Sequence, residues 1–342
     1  MRVIEIERFG GPEVLHLVER VDPDPGPGEV VIDVAACALN HLDVDVREGT
    51  SRFPVEFPFI LGLEVVGRIR KVGPDVSDWS VGDRVMPKLM NTCGKCEYCL
   101  TGRESLCDNA QFIGLYYGGG FAEQVCCSAS QLIRVPEGIS DTDAAALQIS
   151  FATAWHMLFT RGHLQVGETV LINSVGSGVG SAALELARLA GAVTIGSASS
   201  SSTLEFAKSL GLDVGINYAE EDLPERVRSV TEGRGVDLVF EHVGGELFQQ
   251  SLQCMAKDGR LVTCGAHSGE VVPIDVIPLF RGQHSIIGSF VYTENELRKV
   301  LHLASEGKIK PVIHATFALE DARLAMESLE VRTHFGKVIL VP

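Results

Sequence analysis

Thr169-Val170-Leu171-Ile172-Asn173-Ser174-Val175-Gly176-Ser177-Gly178-Val179-Gly180 is the stretch that decides the fold. An apolar, β-branched run of strand length turns on glycines into a segment, Val179 to Ala190, that reads as a helix closed by Gly191. Glycines let a backbone turn sharply and approach a pyrophosphate, whose charge the helix N-terminus favours. The literal pattern is G-x-G-x-G, because Ser181 stands where G-x-G-x-x-G has its last glycine. Glycine-rich turns also arise for packing alone, so the signal depends on its context.

That context is a βα series. Ala192 to Gly196 reads as the next strand, followed by a helix through Leu210 closed by Gly211. Further strands are expected at Val214 to Asn217, Val236 to Phe240, Arg260 to Cys264 and Ser285 to Val291. Strands alternating with helices of this length predict βαβ units and a parallel sheet. The glycine turn opens the first of these units, where a dinucleotide-binding loop belongs. Acid is absent between Glu185 and Glu205, where an NAD-selective site places Asp or Glu on the ribose. The second strand ends instead in Ser197-Ala198-Ser199-Ser200-Ser201-Ser202-Thr203. Its hydroxyls and amides suit a 2′-phosphate, although neither Arg nor Lys stands there. A solvated serine loop is the plainer alternative.

Outward from this block the character changes. Residues 1 to about 135 carry closely spaced turns (Gly10-Gly11-Pro12, Gly73-Pro74, Gly118-Gly119-Gly120) around short β-type runs such as Val30 to Val34. This predicts a compact, mostly antiparallel β domain. Asp141 is expected to cap a helix reaching Arg161. Helices at Glu294 to Ser305 and Leu319 to Leu329 and a strand at Lys337 to Val341 are expected near the C-terminal end.

The chain of 342 residues carries 45 Asp+Glu against 29 Lys+Arg, a formal net charge of −16. Such a surface repels phosphate backbones and anionic lipid, which argues against nucleic-acid or membrane partners. The start, Met1-Arg2-Val3-Ile4-Glu5-Ile6-Glu7, alternates like a strand rather than a signal peptide. The longest uncharged apolar stretch, Ala144 to Thr160, is too short and polar to span a bilayer. A cytoplasmic location is therefore expected.

Four of the nine cysteines crowd together as Cys93, Cys96, Cys99 and Cys107, spaced C-x2-C-x2-C-x7-C. Thiolates at this spacing can close a tetrahedral zinc site with no open position. An iron–sulfur site expects a short last interval followed by Pro, and Asp108 follows instead. One structural zinc per chain is the expectation. The other five cysteines, Cys37, Cys126, Cys127, Cys254 and Cys264, lie in apolar runs and read as core.

The two signals in this order resemble the medium-chain dehydrogenase/reductase superfamily, the zinc alcohol dehydrogenases and quinone reductases. Supporting stretches are Ala38-Leu39-Asn40-His41-Leu42-Asp43, Gly62-Leu63-Glu64-Val65-Val66-Gly67, Val81-Gly82-Asp83-Arg84-Val85, Glu241-His242-Val243-Gly244 and Phe335-Gly336-Lys337-Val338. The resemblance implies an α/β architecture: a Rossmann doubly wound parallel sheet (149–292) inserted in a chaperonin-10-like, mostly antiparallel β domain (1–148 plus 293–342). It also implies a homodimer built through the edge strand Ser285 to Val291.

Alcohol dehydrogenases of this family hold a second, catalytic zinc by Cys, His and Cys. Carried over, those positions fall on Asn40, Leu63 and about Ile149, and the proton-relaying hydroxyl on Leu42. Leu and Ile cannot ligate a metal. His41, Asp43 and Glu64 offer a substitute set. The plainer reading pairs Asp43 or Glu64 with Arg84 or Lys337, with His41 as a polar residue lining a cleft.

The pattern most resembles the quinone reductase branch that keeps the structural zinc alone. That implies hydride transfer from NADP(H), with NAD(H) as the alternative, to a quinone or a conjugated enone or enal. In this reading Asn40 and His41 face the substrate and Thr153 packs on the nicotinamide, with Asn40 donating to the carbonyl or ribose. Ser177, Gly178 and Val179 hold the pyrophosphate, and Ser197, Ser199 and Tyr218 surround the adenosine ribose. His242, Val243, Gly265 and Lys337 line the cofactor cleft. Tyr116 or Tyr117 is a proton-donor candidate, with packing as the alternative. A zinc alcohol dehydrogenase and a non-enzymatic NADP-binding protein remain open at this level.

Overall fold

The computed structural model describes residues 1–331 and 335–342. The chain forms two compact units, one of residues 1–149 and 293–342, the other of residues 150–292.

In the first unit, strand β1 (Glu29–Ala38) runs into helix α1 (His41–Glu48). Strands β2 (Glu64–Val72), β3 (Arg84–Pro87), β4 (Gln124–Ser128) and β5 (Leu132–Arg134) follow. Helix α2 (Asp141–Trp155) begins in the first unit, and its residues from Ser150 on, with the π-helical segment His156–Arg161 that continues it, belong to the second.

The second unit is built from β6 (Thr169–Ile172), α3 (Gly178–Leu189), β7 (Val193–Ala198), α4 (Ser201–Ser209), β8 (Val214–Asn217), β9 (Val236–Glu241), α5 (Gly245–Cys254), β10 (Met255–Thr263) and β11 (Ser285–Gly288). Helix α6 (Glu294–Ser305) and strands β12 (Ile313–Ala318) and β13 (Lys337–Val341) return to the first unit.

The large sheet of the first unit has the order β5-β3-β2-β1-β13-β12, with β4 also paired to β1. All its described pairs are antiparallel except β12 with β13. Strand β13 enters beside the end of β1, Ile339 opposite Ala38. Lys337, which opens β13, thereby meets the Leu39-Asn40 corner.

The second unit is a wholly parallel six-stranded sheet of order β8-β7-β6-β9-β10-β11. This is the doubly wound order, with its reversal between β6 and β9. Val170, Leu171 and Ile172 are all fully buried, as a central parallel strand covered on both faces requires. Leu171, Ile195, Ile216, Val239 and Leu261 supply one apolar cluster from successive strands. Both halves of the expected architecture, the parallel Rossmann sheet and the antiparallel β domain, are thus present. Among the described residues, no helix is long and apolar enough to cross a membrane.

Two local expectations need correction. Ser140, not Asp141, caps α2, because its Oγ accepts the Asp143 amide at 3.0 Å. Asp141 instead pairs with Arg84 at 2.6 Å, so Arg84 is not the partner of Asp43 or Glu64.

Candidate functional site

At the corner where β1 meets α1, a buried polar cluster stands where the resemblance places catalytic metal ligands. Glu64 is fully buried and pairs with Lys337, whose Nζ lies 2.5 Å from Oε2. Asn40 Nδ2 donates to the same Oε2 at 3.0 Å, and the Ile149 amide donates to Oε1. Lys337 also donates to Leu39 O at 2.7 Å and to Asn40 Oδ1 at 2.8 Å. An ammonium has three protons, and these three acceptors take them all. Lys337 is therefore an internal anchor rather than the cofactor-lining group expected from sequence.

Asn40 is corrected for the same reason. Its Oδ1 is occupied by Lys337, one Nδ2 hydrogen by Glu64, and the other leans on Ala38 O at 3.4 Å. The expected donation to a substrate carbonyl or ribose would have to displace the contact with Glu64 or the long one with Ala38 O. Asn40 also caps α1 in a capping box with Asp43, whose Oδ2 accepts the Asn40 amide at 2.8 Å.

Asp43 Oδ1 accepts the Gly62 amide at 3.1 Å, which ties α1 to the segment before β2. Burial pushes the Asp43 carboxyl up to about 7, against the pull of the two amides and of Lys337. Leu63 is fully buried, and Ile149 offers the cluster a backbone amide. His41, the first residue of α1, is half-buried. With Asp43 spent on amides and Glu64 on Lys337, Asn40 and Ile149, the substitute ligand set of His41, Asp43 and Glu64 is not assembled.

The ligand atoms of Cys93, Cys96, Cys99 and Cys107 all lie within 4.8 Å of one another. Cys96 Sγ and Cys99 Sγ are 3.5 Å apart, and Cys93 Sγ and Cys99 Sγ 3.9 Å. A disulfide would require about 2.05 Å. A tetrahedron with zinc–sulfur bonds of about 2.3 Å has edges of about 3.8 Å, which these distances bracket. The Cys93 amide points at Cys107 Sγ and the Cys99 amide at Cys96 Sγ, contacts that stabilise thiolate. Backbone amides of Lys95 and Cys96 hold the Cys93 thiol down to about 6, whereas burial and neighbouring thiols push Cys99 up to about 12. The four residues fit a structural zinc. Among the described residues, no other group of three or more His, Cys, Asp or Glu converges in this way.

In the second unit, the glycine turn leads into α3. Ser177 is its N-cap, and its Oγ accepts the Gly180 amide at 2.9 Å. A side chain at Gly180 would place Cβ 2.3 Å from Ser174 O, so only glycine lets the turn close on the helix. Gly178 and Val179 form the first helical positions, where free amides favour an anion. These residues fit a dinucleotide pyrophosphate. His242 Nε2 lies 3.2 Å from Ser177 Oγ, a contact that the sequence reading did not anticipate.

Glu241, to which the sequence reading gave no role, organises the turn beyond β9. It is fully buried, and its Oε1 accepts the amides of Val243 and Gly244 at 2.7 and 2.8 Å. Its Oε2 accepts Thr263 Oγ1 at 3.0 Å, and burial raises its pKa despite these bonds. An acid ending the apolar run Val236 to Phe240 was the available signal. Gly265 packs so closely that a Cβ there would lie 2.6 Å from His242 O.

Ser197 does not fit the ribose role. It is fully buried and its hydroxyl donates to Asn173 Oδ1 at 3.0 Å. Ser199 is exposed just before α4, and Tyr218 packs against the apolar cluster of the sheet. Thr153 lies in α2, 7% exposed. Tyr117 is likewise corrected as a proton donor. Its hydroxyl donates to Gln131 at 2.6 Å, and burial drives its pKa well upward. Tyr116 packs with Phe53 and Phe112.

Both halves of the chain match known families. Residues 26–137 match the alcohol dehydrogenase GroES-like domain, and residues 178–306 the zinc-binding dehydrogenase domain. The chain is 30% identical to an NAD-dependent alcohol dehydrogenase of Sulfurisphaera tokodaii over 100% of both chains. It is 32% identical to an acryloyl-coenzyme A reductase of the same organism, covering 97% of this chain and 98% of the relative. A crystal structure of an NAD-dependent alcohol dehydrogenase superposes with a TM-score of 0.95 at 38% identity over 100% of both chains. The chain belongs to the medium-chain dehydrogenase/reductase superfamily. It is an oxidoreductase of that class.

Proposed function

We propose that this oxidoreductase carries hydride from NADPH to a quinone or an α,β-unsaturated carbonyl, without a metal at the reacting centre. The observation that carries this reading is the Asn40–Glu64–Lys337 cluster, closed by fully buried Leu63 and the Ile149 amide where family ligands would stand. A saturated carbonyl accepts hydride poorly unless its oxygen is polarised, which zinc provides at several kcal/mol. Quinones and conjugated carbonyls need less help, because the added electron pair delocalises into a hydroquinone anion or enolate.

When bound, the reduced nicotinamide supplies the hydride. Ser177, Gly178 and Val179 hold its pyrophosphate at the start of α3, and Thr153 packs against its ring. The exposed hydroxyls from Ser199 onward meet the adenosine ribose, on a stretch that carries no Asp or Glu between Glu185 and Glu205. His41, the half-buried first residue of α1, faces the acceptor in this reading. Cys93, Cys96, Cys99 and Cys107 hold one structural zinc.

We further propose a homodimer through β11, an edge strand flanked by exposed Val276, Ile277, Phe280 and Phe290. We also propose a cytoplasmic setting, with four of the nine cysteines on zinc and the others as thiols.

The acryloyl-coenzyme A reductase relative supports a conjugated acceptor, whereas the alcohol dehydrogenase names favour the competing reading, NAD-dependent alcohol oxidation by a zinc enzyme. A turnover panel separates them. NADPH and NADH are each offered with a naphthoquinone, an enone and a saturated aldehyde, and NADP⁺ and NAD⁺ with ethanol and a secondary alcohol. The proposal expects turnover with the first two acceptors and little with the rest. Efficient alcohol oxidation that chelators abolish would overturn it.

A further inference from the structure

We propose that Ser177 and His242 form a proton-controlled clamp on the dinucleotide pyrophosphate, an inference that rests on the dinucleotide reading above. Ser177 Oγ already accepts the Gly180 amide at 2.9 Å and lies 3.2 Å from His242 Nε2. A hydroxyl has one proton to give. When Nε2 is unprotonated, the imidazole takes that proton and Ser177 offers nothing to an anion. When the imidazole is charged, both ring nitrogens are donors, Nε2–H turns toward Oγ, and the hydroxyl proton is released toward the start of α3. One protonation thus adds a positive charge and frees a hydroxyl donor beside the helix N-terminus.

The surroundings hold the ring in place for this exchange. Phe240 meets it edge to face at 5.7 Å. Glu241 fixes the Val243 and Gly244 amides that follow the histidine, and Gly265 lets the opposite loop close on its carbonyl. Among the described residues, the packed elements contribute the following titratable groups, besides Glu270 further along the loop after β10. The turn 174–180 has none. Strand β9 and its exit contribute Glu241, whose carboxyl is spent on the Val243 and Gly244 amides and on Thr263. The loop after β10 contributes Cys264, which burial pushes up to about 12 and keeps neutral, and exposed His267, which acts on Glu241. The general imidazole range of about pH 5 to 8 sets the span over which the clamp is tested.

The test is calorimetric titration of the whole protein with ADP-ribose from pH 5.5 to 8.5, since its pyrophosphate keeps one charge state throughout. Replacing a neutral by a charge-assisted contact changes affinity roughly tenfold, so Kd should rise about tenfold from the acidic to the alkaline end. Adenosine, lacking phosphate, should show no such slope; this comparison needs no variant. His242→Gln, which keeps an N–H donor without the charge, and Ser177→Ala should flatten the profile, while His267→Gln should retain it. A pH-independent wild type, or an unchanged slope in His242→Gln, overturns the clamp and leaves the dinucleotide reading standing. Failure to bind ADP-ribose at any pH would overturn the dinucleotide reading itself.

Discussion

Removing the Lys337 ammonium isolates the buried charge on which the metal-free corner is built. Glu64 is fully buried and the Lys337 side chain only 6% exposed, so solvent cannot replace the lost partner. In Lys337→Met the Glu64 carboxylate keeps only the Asn40 amide and the Ile149 backbone amide. Breaking a buried pair from one side costs about 3–5 kcal/mol. Leu39 O and Asn40 Oδ1 lose a donor as well, adding about 1 kcal/mol each. Glu64→Gln/Lys337→Met removes both charges while leaving an amide to meet Asn40 and Ile149. It should therefore be more stable than Lys337→Met by about 2 kcal/mol. Urea unfolding by tryptophan fluorescence in a Trp155→Phe background follows the first unit through Trp79 alone. Lys337→Met within about 0.5 kcal/mol of the parent, or a double variant as unstable as the sum of the singles, would refute the argument.

The Asp43 carboxyl titrates at about 7 in the fold against 3.8 when unperturbed, so the folded state binds more protons between those values. Stability of the first unit should fall as pH rises through that window, by up to about 1.4 kcal/mol per pH unit, and Asp43→Asn should abolish that slope. Ser199→Asp puts a carboxylate at the exposed turn and should weaken NADPH roughly fivefold, from about 1 kcal/mol of repulsion in a watery dielectric, while sparing NADH. Fluorescence titration of the two nucleotides measures this; tighter NADH than NADPH binding in the parent would show that the hydroxyls do not read the phosphate. Cys99→Ser breaks the tetrahedron and should lower both zinc content and melting temperature, read by elemental analysis and calorimetry.

The parts of the architecture that rest on period and spacing were legible. The run Thr169 to Ile172, the glycine turn and the C-x2-C-x2-C-x7-C cluster each encode their geometry locally. The Glu64–Lys337 pair was legible among alternatives, because a buried acid requires a cation and few were available. What failed was the destination of polar side chains. Ser197 lies on β7, a strand covered on both faces, so its hydroxyl turns to Asn173 instead of a ligand. Asp141 looked like a cap, but Arg84, 57 positions away, claims it and leaves the cap to Ser140. Asn40 looked like a free donor until Lys337, from the far end of the chain, occupied its oxygen. Strand β12 alternates half-buried with exposed positions and carries His314 and Thr316, so its apolar signal was too weak to find.

Zinc content and turnover measured on one preparation test the central claim most directly. The account expects about one zinc per chain, held by Cys93, Cys96, Cys99 and Cys107, in enzyme fully active with a quinone or enone and insensitive to chelator in a short assay. About two zinc ions per chain, with activity lost as the second is withdrawn, would contradict it.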